Sequence, residues 1–179
     1  MTASFQAGGA RVELTVGDIT KQTDVDAVVN AANAQLESGG GVAGAIHRAA
    51  GPGLLQDCRP LAPIKPGEAV VTGGHDLPNE HVVHTLGPVY GRDEPSDDLL
   101  AACYRESLRV ASETGITSLA FPAISTGAFG FPMDRAAGIA LRTVSQAAPG
   151  YPNIALVRFV LVNDRDLKTH TDALNTLQG

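Results

Sequence analysis

Apolar and polar residues alternate along Arg11–Val16, placing Val12, Leu14 and Val16 on one face. This two-residue period predicts a strand, which Gly17 and Asp18 end. Ala27–Asn30 is a short continuous apolar run, as expected of a strand covered on both faces. Glu68–Thr72, Val82–Leu86, Ser118–Phe121 and Ile154–Val162 read as four more strands. Between them the period lengthens toward that of a helix. Val42–Ala50 predicts a helix after the triplet Gly39–Gly41, and a second helical piece follows Pro52 and ends near Cys58. Leu100, Cys103, Ser107, Leu108 and Ala111 define a longer helix. Ser96 is its expected N-cap, Asp97 and Asp98 occupy its first turn, and Gly115 stops it. Met133–Ala148 is amphipathic, and Asp166–Leu177 predicts a terminal helix. Residues 1–9 are small and polar and are expected to form a loose arm ahead of one domain over 10–179.

Strands alternating with helices, without repeats or a linker, are the signature of one α/β layered domain with a largely parallel sheet. Ligands in such sheets bind beyond the carboxyl ends of the strands, where loops diverge. Four strand ends therefore carry the candidate chemistry: Gly17-Asp18, Asn30–Asn33, Ser125–Gly130 and Asn163-Asp164.

The bulk numbers narrow the choice. Thirteen Lys and Arg face nineteen Asp and Glu, so the formal charge is −6 and the broad basic footprint of a nucleic-acid binder is missing. Any anionic ligand must then be held by local groups, above all backbone N–H donors. No apolar run approaches the roughly 20 residues of a membrane span, and no secretory leader is visible, so a cytoplasmic protein without membrane partners is expected. Cys58 and Cys103 lack CxxC spacing and read as buried thiols. His47, His81 and His84 match no metal-ligand spacing, and no metal or cofactor is expected. His84 lies within an apolar strand and reads as a satisfied core imidazole.

Gly39-Gly40-Gly41 precedes a helix whose first N–H groups carry partial positive charge, an arrangement suited to a phosphate and equally to a flexible turn. The loop Ile124–Phe131 contains two hydroxyls and two glycines and is a second candidate phosphate cradle. It matches neither GxxxxGK[ST] nor GxGxxG, and Ser125 lacks the GxSxG elbow. Asp18 could accept from an exocyclic amine such as that of adenine, although local sequence favours a capping role. Asn30 reads as a residue that fixes its loop, and Asn33 as one that offers donor and acceptor to a sugar diol.

GDIT (Gly17–Thr20), VDAVVNAAN (Val25–Asn33), GGGVAGAIHRAAG (Gly39–Gly51), HTLGP (His84–Pro88), AFPAISTGAFGFP (Ala120–Pro132) and VND (Val162–Asp164) together resemble the macrodomain family, in particular its MacroD-like branch. The motifs occur in family order and span Gly17 to about Leu177. The resemblance implies a three-layer α/β/α fold around a mixed, mainly parallel sheet of about six strands, with ADP-ribose as ligand. Asp18 would bind the adenine amine, with the Ile19 backbone beside it. Asn33 would orient the distal ribose. Gly40, Gly41 and Val42 would approach that ribose and one phosphate. Ser125, Thr126, Gly127, Ala128 and Phe129 would wrap the diphosphate, Phe129 also covering the ribose.

Two positions depart from the pattern. Ala43 stands where active MacroD-like members commonly carry Asp, and a methyl group cannot act as general base. The same GGGVAG form resembles that of coronavirus macrodomains. Asn163 stands where relatives often have an aromatic residue that stacks on adenine. The resemblance thus implies a protein that binds ADP-ribose and removes mono-ADP-ribose from acidic side chains of proteins, or deacetylates O-acetyl-ADP-ribose. Asn33 and a water held by Gly41 would do the catalytic work. A non-catalytic reader and a hydrolase of ADP-ribosylated nucleic acid are the alternatives, the nucleic acid being the less favoured partner.

Overall fold

The computed structural model describes residues 3–179. Seven strands form one sheet: β1 (Ala3–Ala7), β2 (Ala10–Val16), β3 (Ala27–Ala31), β4 (Ala69–Gly73), β5 (His81–Thr85), β6 (Ser118–Phe121) and β7 (Leu156–Leu161). Their spatial order is β1-β2-β7-β6-β3-β5-β4. The five inner strands are parallel, and β1 and β4 close the two edges in antiparallel pairing. Five helices complete the chain: α1 (Gly41–Ala50), α2 (Gly53–Cys58), α3 (Ser96–Thr114), α4 (Met133–Ala147) and α5 (Asp164–Gln178).

Alternation along the inner strands divides the core into two layers. Val28, Val82, Ala120 and Val160 face Ile46 and Ala50 of α1 and Leu54 and Cys58 of α2. Val29, Val83, Phe121 and Phe159 face the opposite way, toward α3, α4 and α5. Helices thus cover both faces, as a parallel sheet requires. On the second face Tyr104, Phe121 and Phe159 pack with ring centroids 5.0–6.0 Å apart. Aromatic pairs of this kind contribute about 0.5–1.5 kcal/mol beyond the area they bury. The β2–β7 end of the first face carries an ion-pair cluster. There Arg158 pairs with Glu13 and Asp24 at 2.8 and 2.7 Å and covers the strands with its own side chain.

Three expectations need correction. Residues 3–7, expected in a loose arm, are strand β1, which makes seven strands rather than about six; Met1 and Thr2 lie outside the described residues. Only Phe5 there is large and apolar, so the strand exists because the edge of β2 pairs with it rather than through its own pattern. Ser96 is the first residue of α3, not its N-cap, and its hydroxyl donates back to the Asp93 carbonyl while Pro95 precedes it. Finally α5 begins at Asp164, because the Asn163 carboxamide accepts from the Asp166 N–H at 2.8 Å and caps the helix two residues before its expected start.

Gly115 ends α3 in the left-handed region, as its position suggested. Gly138 differs: it sits inside α4, and a methyl group there would meet nothing within 4 Å. Gly138→Ala should therefore stabilise the protein by about 0.5–1 kcal/mol through helix propensity alone. Urea denaturation should show a higher midpoint at unchanged slope.

Candidate functional site

Strands β3 and β6 are parallel neighbours, yet the chain leaves β3 toward α1 on one face and leaves β6 toward α4 on the other. A crevice opens where they part, at the carboxyl ends of the strands. It has a volume of about 310 Å³ and is walled by Ala31–Asn33, by Gly39–Ala43, and by Ala123, Ser125 and Gly127–Phe129. None of these side chains is charged.

Backbone groups supply the polarity instead. Gly44 donates the first bond of α1, to the Gly40 carbonyl at 3.2 Å, so the N–H groups of Gly41, Val42 and Ala43 have no partner inside the helix. In the facing loop, Thr126 donates to Ala123, Gly130 to Gly127 and Phe131 to Ser125. The N–H groups of Gly127, Ala128 and Phe129 make no backbone bond among the described residues. Two runs of unpaired donors thus line one cleft, which is what an extended anion such as a diphosphate needs.

Close backbone approach holds both runs in place. A Cβ on Gly44 would strike the Gly39 carbonyl oxygen, and one on Gly87 would strike the Ser125 hydroxyl. Ser125 itself adopts the left-handed region at φ 69°, and its hydroxyl is buried without a partner. Behind the loop, the buried Tyr104 hydroxyl accepts from Ile124 N–H at 3.3 Å and donates to the Pro122 carbonyl. Phe131 anchors the far end against Tyr90, ring centroids 4.8 Å apart.

The expected residues divide into two groups. Asn33, Gly40, Gly41, Val42, Ser125, Gly127, Ala128 and Phe129 meet in the cleft. Asp18, Ile19, Thr126 and Asn163 are not among its walls. Thr126 turns its hydroxyl to the Ala123 carbonyl at 2.7 Å and stiffens the loop. Asp18 and Asn163 share the neighbouring stretch of the sheet edge, since β2 and β7 run parallel with Val16 opposite Leu161. The capping role is present at Asp18: Oδ1 accepts from the Thr20 N–H and hydroxyl at 2.9 and 2.6 Å, and these bonds hold its carboxyl below the usual range. Its Oδ2 makes no hydrogen bond among the described residues and stays exposed. The Ile19 side chain is buried in the core beside α1, which leaves only its backbone to face outward. Asn33 exchanges two bonds with the backbone of Glu37, at 2.8 and 2.9 Å. One amide hydrogen and one lone pair remain to it.

Asn30 and His84 lie beneath the cleft as register partners on β3 and β5, both fully buried. Asn30 donates to His84 Nδ1 at 3.1 Å, so Nε2 carries the ring proton and donates to Thr72 Oγ1 at 2.9 Å. The Thr72 hydroxyl in turn donates to the Gly73 carbonyl at 3.2 Å. The imidazole is thus the satisfied core group the strand pattern suggested, and burial pulls its pKa down to about 3. Residues that lie within the quoted motifs but were given no role from sequence include Ala31, Ala32 and Ala123 as walls and Gly44 and Gly87 as spacers. Among the described residues, no three His, Cys, Asp or Glu side chains are grouped to hold a metal ion, and no helix is long and apolar enough to cross a membrane.

The comparisons agree with this geometry. The Macro domain model matches residues 29–140. A macro domain-containing protein of Chlorobaculum tepidum is 50% identical over 158 residues, covering 88% of this chain and 91% of its own. One of Methanosarcina mazei is 54% identical over 137 residues, covering 76% and 73%. Among solved structures, the Oceanobacillus iheyensis macrodomain with ADP superposes with a TM-score of 0.94 at 38% identity, covering 99% of this chain and 97% of that one. The Trypanosoma brucei macrodomain in complex with ADP-ribose gives 0.85 at 36%, covering 91% and 68%. The chain belongs to the Macro domain family.

Two tests follow from the site. Gly44→Ala should push the glycine loop off α1 and destabilise the protein by about 1–3 kcal/mol, as overpacking does; equilibrium denaturation beside Gly138→Ala isolates the effect. His84 is a base whose folded pKa lies near 3 against an ordinary 6.5, so its contribution is complete above pH 6.5 and is lost as pH falls from there toward 3. Burial lowers His47 and His170 in the same direction. His84→Gln should lower stability at neutral pH and flatten its decline between pH 6.5 and 5 in urea titrations; an unchanged slope would remove His84 from the acid limb.

Proposed function

We propose that this protein binds ADP-ribose in the cleft between α1 and the β6–α4 loop, and that it hydrolyses mono-ADP-ribose from acidic side chains of proteins or deacetylates O-acetyl-ADP-ribose. The observation that carries the reading is the pair of unpaired N–H runs facing one uncharged cleft in a protein of net charge −6. The family, and the ADP and ADP-ribose held by the Oceanobacillus iheyensis and Trypanosoma brucei macrodomains, support the same ligand.

In this reading Asp18 takes the adenine amine through its free Oδ2, with the Ile19 backbone beside it. Asn163, whose Oδ1 is committed to the α5 cap, has its amide left for the adenine side. The diphosphate lies between Gly41–Val42 and Ser125–Phe129, with Gly40 and Phe129 against the distal ribose. Asn33 offers its remaining hydrogen and lone pair to the ribose diol. A water held at Gly41 adds to the anomeric carbon as the bond to the carboxylate leaving group breaks, and the water's proton passes to a substrate phosphate. For O-acetyl-ADP-ribose the water adds instead to the acetyl carbonyl, and the ribose oxygen leaves as a hydroxyl. Proximity supplies the rate here, since no acid–base side chain lines the cleft.

Ala43 favours the second reading, a reader without turnover, because its methyl lines the wall where a base would stand. In variants of the Oceanobacillus iheyensis macrodomain, an asparagine, a glycine and an aspartate spaced by seven and then three positions have been substituted. Asn33, Gly40 and Ala43 have the same spacing, which supports Ala43 as the counterpart of that aspartate.

Calorimetry with ADP-ribose and single-turnover hydrolysis of a mono-ADP-ribosylated protein test the two readings together. Wild type should bind ADP-ribose more tightly than AMP and turn over slowly, and Asn33→Ala should lose turnover. Ala43→Asp should accelerate it by part of the about 10²–10⁴-fold that a general base is worth. Binding without turnover in either wild type or Ala43→Asp leaves the reader; no binding removes both.

A further inference from the structure

A second depression adjoins the cleft. It has a volume of about 400 Å³ and shares Asn33 and Phe129 with the first, so these two residues form the partition between them. Its floor is apolar, from Ile64, Pro66, Leu86 and Val89, and its rim carries Lys65, Arg92 and Asp93.

The walls of this groove are tied to the partition. Ile64 donates its N–H to the Ala34 carbonyl at 2.9 Å, which fixes the Lys65 loop beside Asn33. Tyr90 donates to the Phe129 carbonyl at 2.9 Å, and Arg92 and Asp93 both donate to Val89 in the same turn. The groove is therefore formed in advance, with its geometry referred to the two residues that separate it from the cleft.

The rim cations are available. Lys65 is exposed and, among the described residues, its ammonium pairs with no carboxylate; Glu68 turns instead to the Lys65 backbone N–H, at 2.7 Å. The Arg92 side chain is 74% exposed, with its Nε 3.6 Å from Asp93 Oδ1. One Asp93 oxygen is occupied by the Val89 N–H at 2.8 Å. Two available cations at one rim stand out in a chain with an excess of acidic residues.

We infer that this groove receives the polypeptide around the ADP-ribosylated residue, and that Lys65 and Arg92 select acidic side chains flanking it. The inference rests on the ADP-ribose reading above, in which Asn33 and Phe129 hold the distal ribose, so the group attached to that ribose leaves past the partition. A polypeptide fits better than a nucleic acid. Two cations suit one or two carboxylates, whereas a phosphodiester backbone needs a longer basic track with stacking faces, and Phe129 is the only aromatic ring in the groove.

The test uses the full chain and its Lys65→Glu/Arg92→Glu variant. Three hydrolysis-resistant probes carry ADP-ribose on an acid-flanked peptide, on a neutral-flanked peptide and on a short single-stranded oligonucleotide. Free ADP-ribose, which does not reach the groove, is the reference ligand. Wild type should bind the acid-flanked peptide about fivefold to tenfold more tightly than the neutral one, with the preference weakening in salt. The variant should lose or reverse that preference and bind free ADP-ribose as wild type does. Equal affinity of wild type for both peptides overturns the groove assignment and leaves the ADP-ribose reading in place. An affinity for the oligonucleotide above that for the acid-flanked peptide overturns it in favour of nucleic acid. Failure of wild type to bind free ADP-ribose overturns the underlying reading and this inference with it.

Discussion

The parting of β3 and β6 is the constraint on which the working end of this protein depends. Two strands paired only at Ala27–Val28 and Leu119–Ala120 send their chains to opposite faces, so the loops beyond them cannot pair with each other. Their backbone donors are left pointing into the gap. A loop elsewhere on the surface would satisfy such donors with water. Here they gather on two sides of a 310 Å³ crevice, where a single anionic ligand can take them all. The strand order makes the crevice; the loop sequences adapt to it.

A candidate anion site built from backbone has consequences for everything packed around it. It needs no cationic side chain, which suits a protein with six more acidic than basic residues. It does need backbones to come closer than side chains allow, and Gly44 and Gly87 provide that clearance beneath the two loops. It also needs hydrogen-bonded support at the strand ends that carry the loops. The Asn30–His84–Thr72 chain meets this need: it is polar enough to order the ends of β3 and β5, and burial, which lowers the imidazole's pKa to about 3, keeps it neutral at neutral pH.

Much of the architecture was legible in periodicity. Six strands and the helices lie close to where the alternation of apolar positions puts them, because burial on one or both faces leaves a direct mark on residue choice. β1 was not legible, since an edge strand with one large apolar residue is made by its neighbour's open hydrogen bonds. The start of α3 and that of α5 were misplaced because a polar residue near a helix end can serve the backbone in several ways. Ser96 donates backward to Asp93 while Asn163 accepts forward from Asp166, and local sequence does not separate the two.

The candidate site divides in the same manner. The sequence alone determined that glycine-rich segments precede α1 and α4, that no cationic phosphate motif is present, and that Asn and Asp stand at strand ends. It determined the family as well, through motifs in order along the chain. Only the tertiary structure decided that the two glycine-rich loops face one another, that Asp18 and Asn163 follow the ends of adjacent parallel strands, and that Asn33 already spends two of its bonds on Glu37. It alone placed Lys65 and Arg92 beyond the Phe129 partition. The physical reason is that periodicity reports which face of an element is buried, whereas the meeting of distant loops follows from strand order and crossover direction. Those are properties of the whole sheet, and no local stretch of residues encodes them.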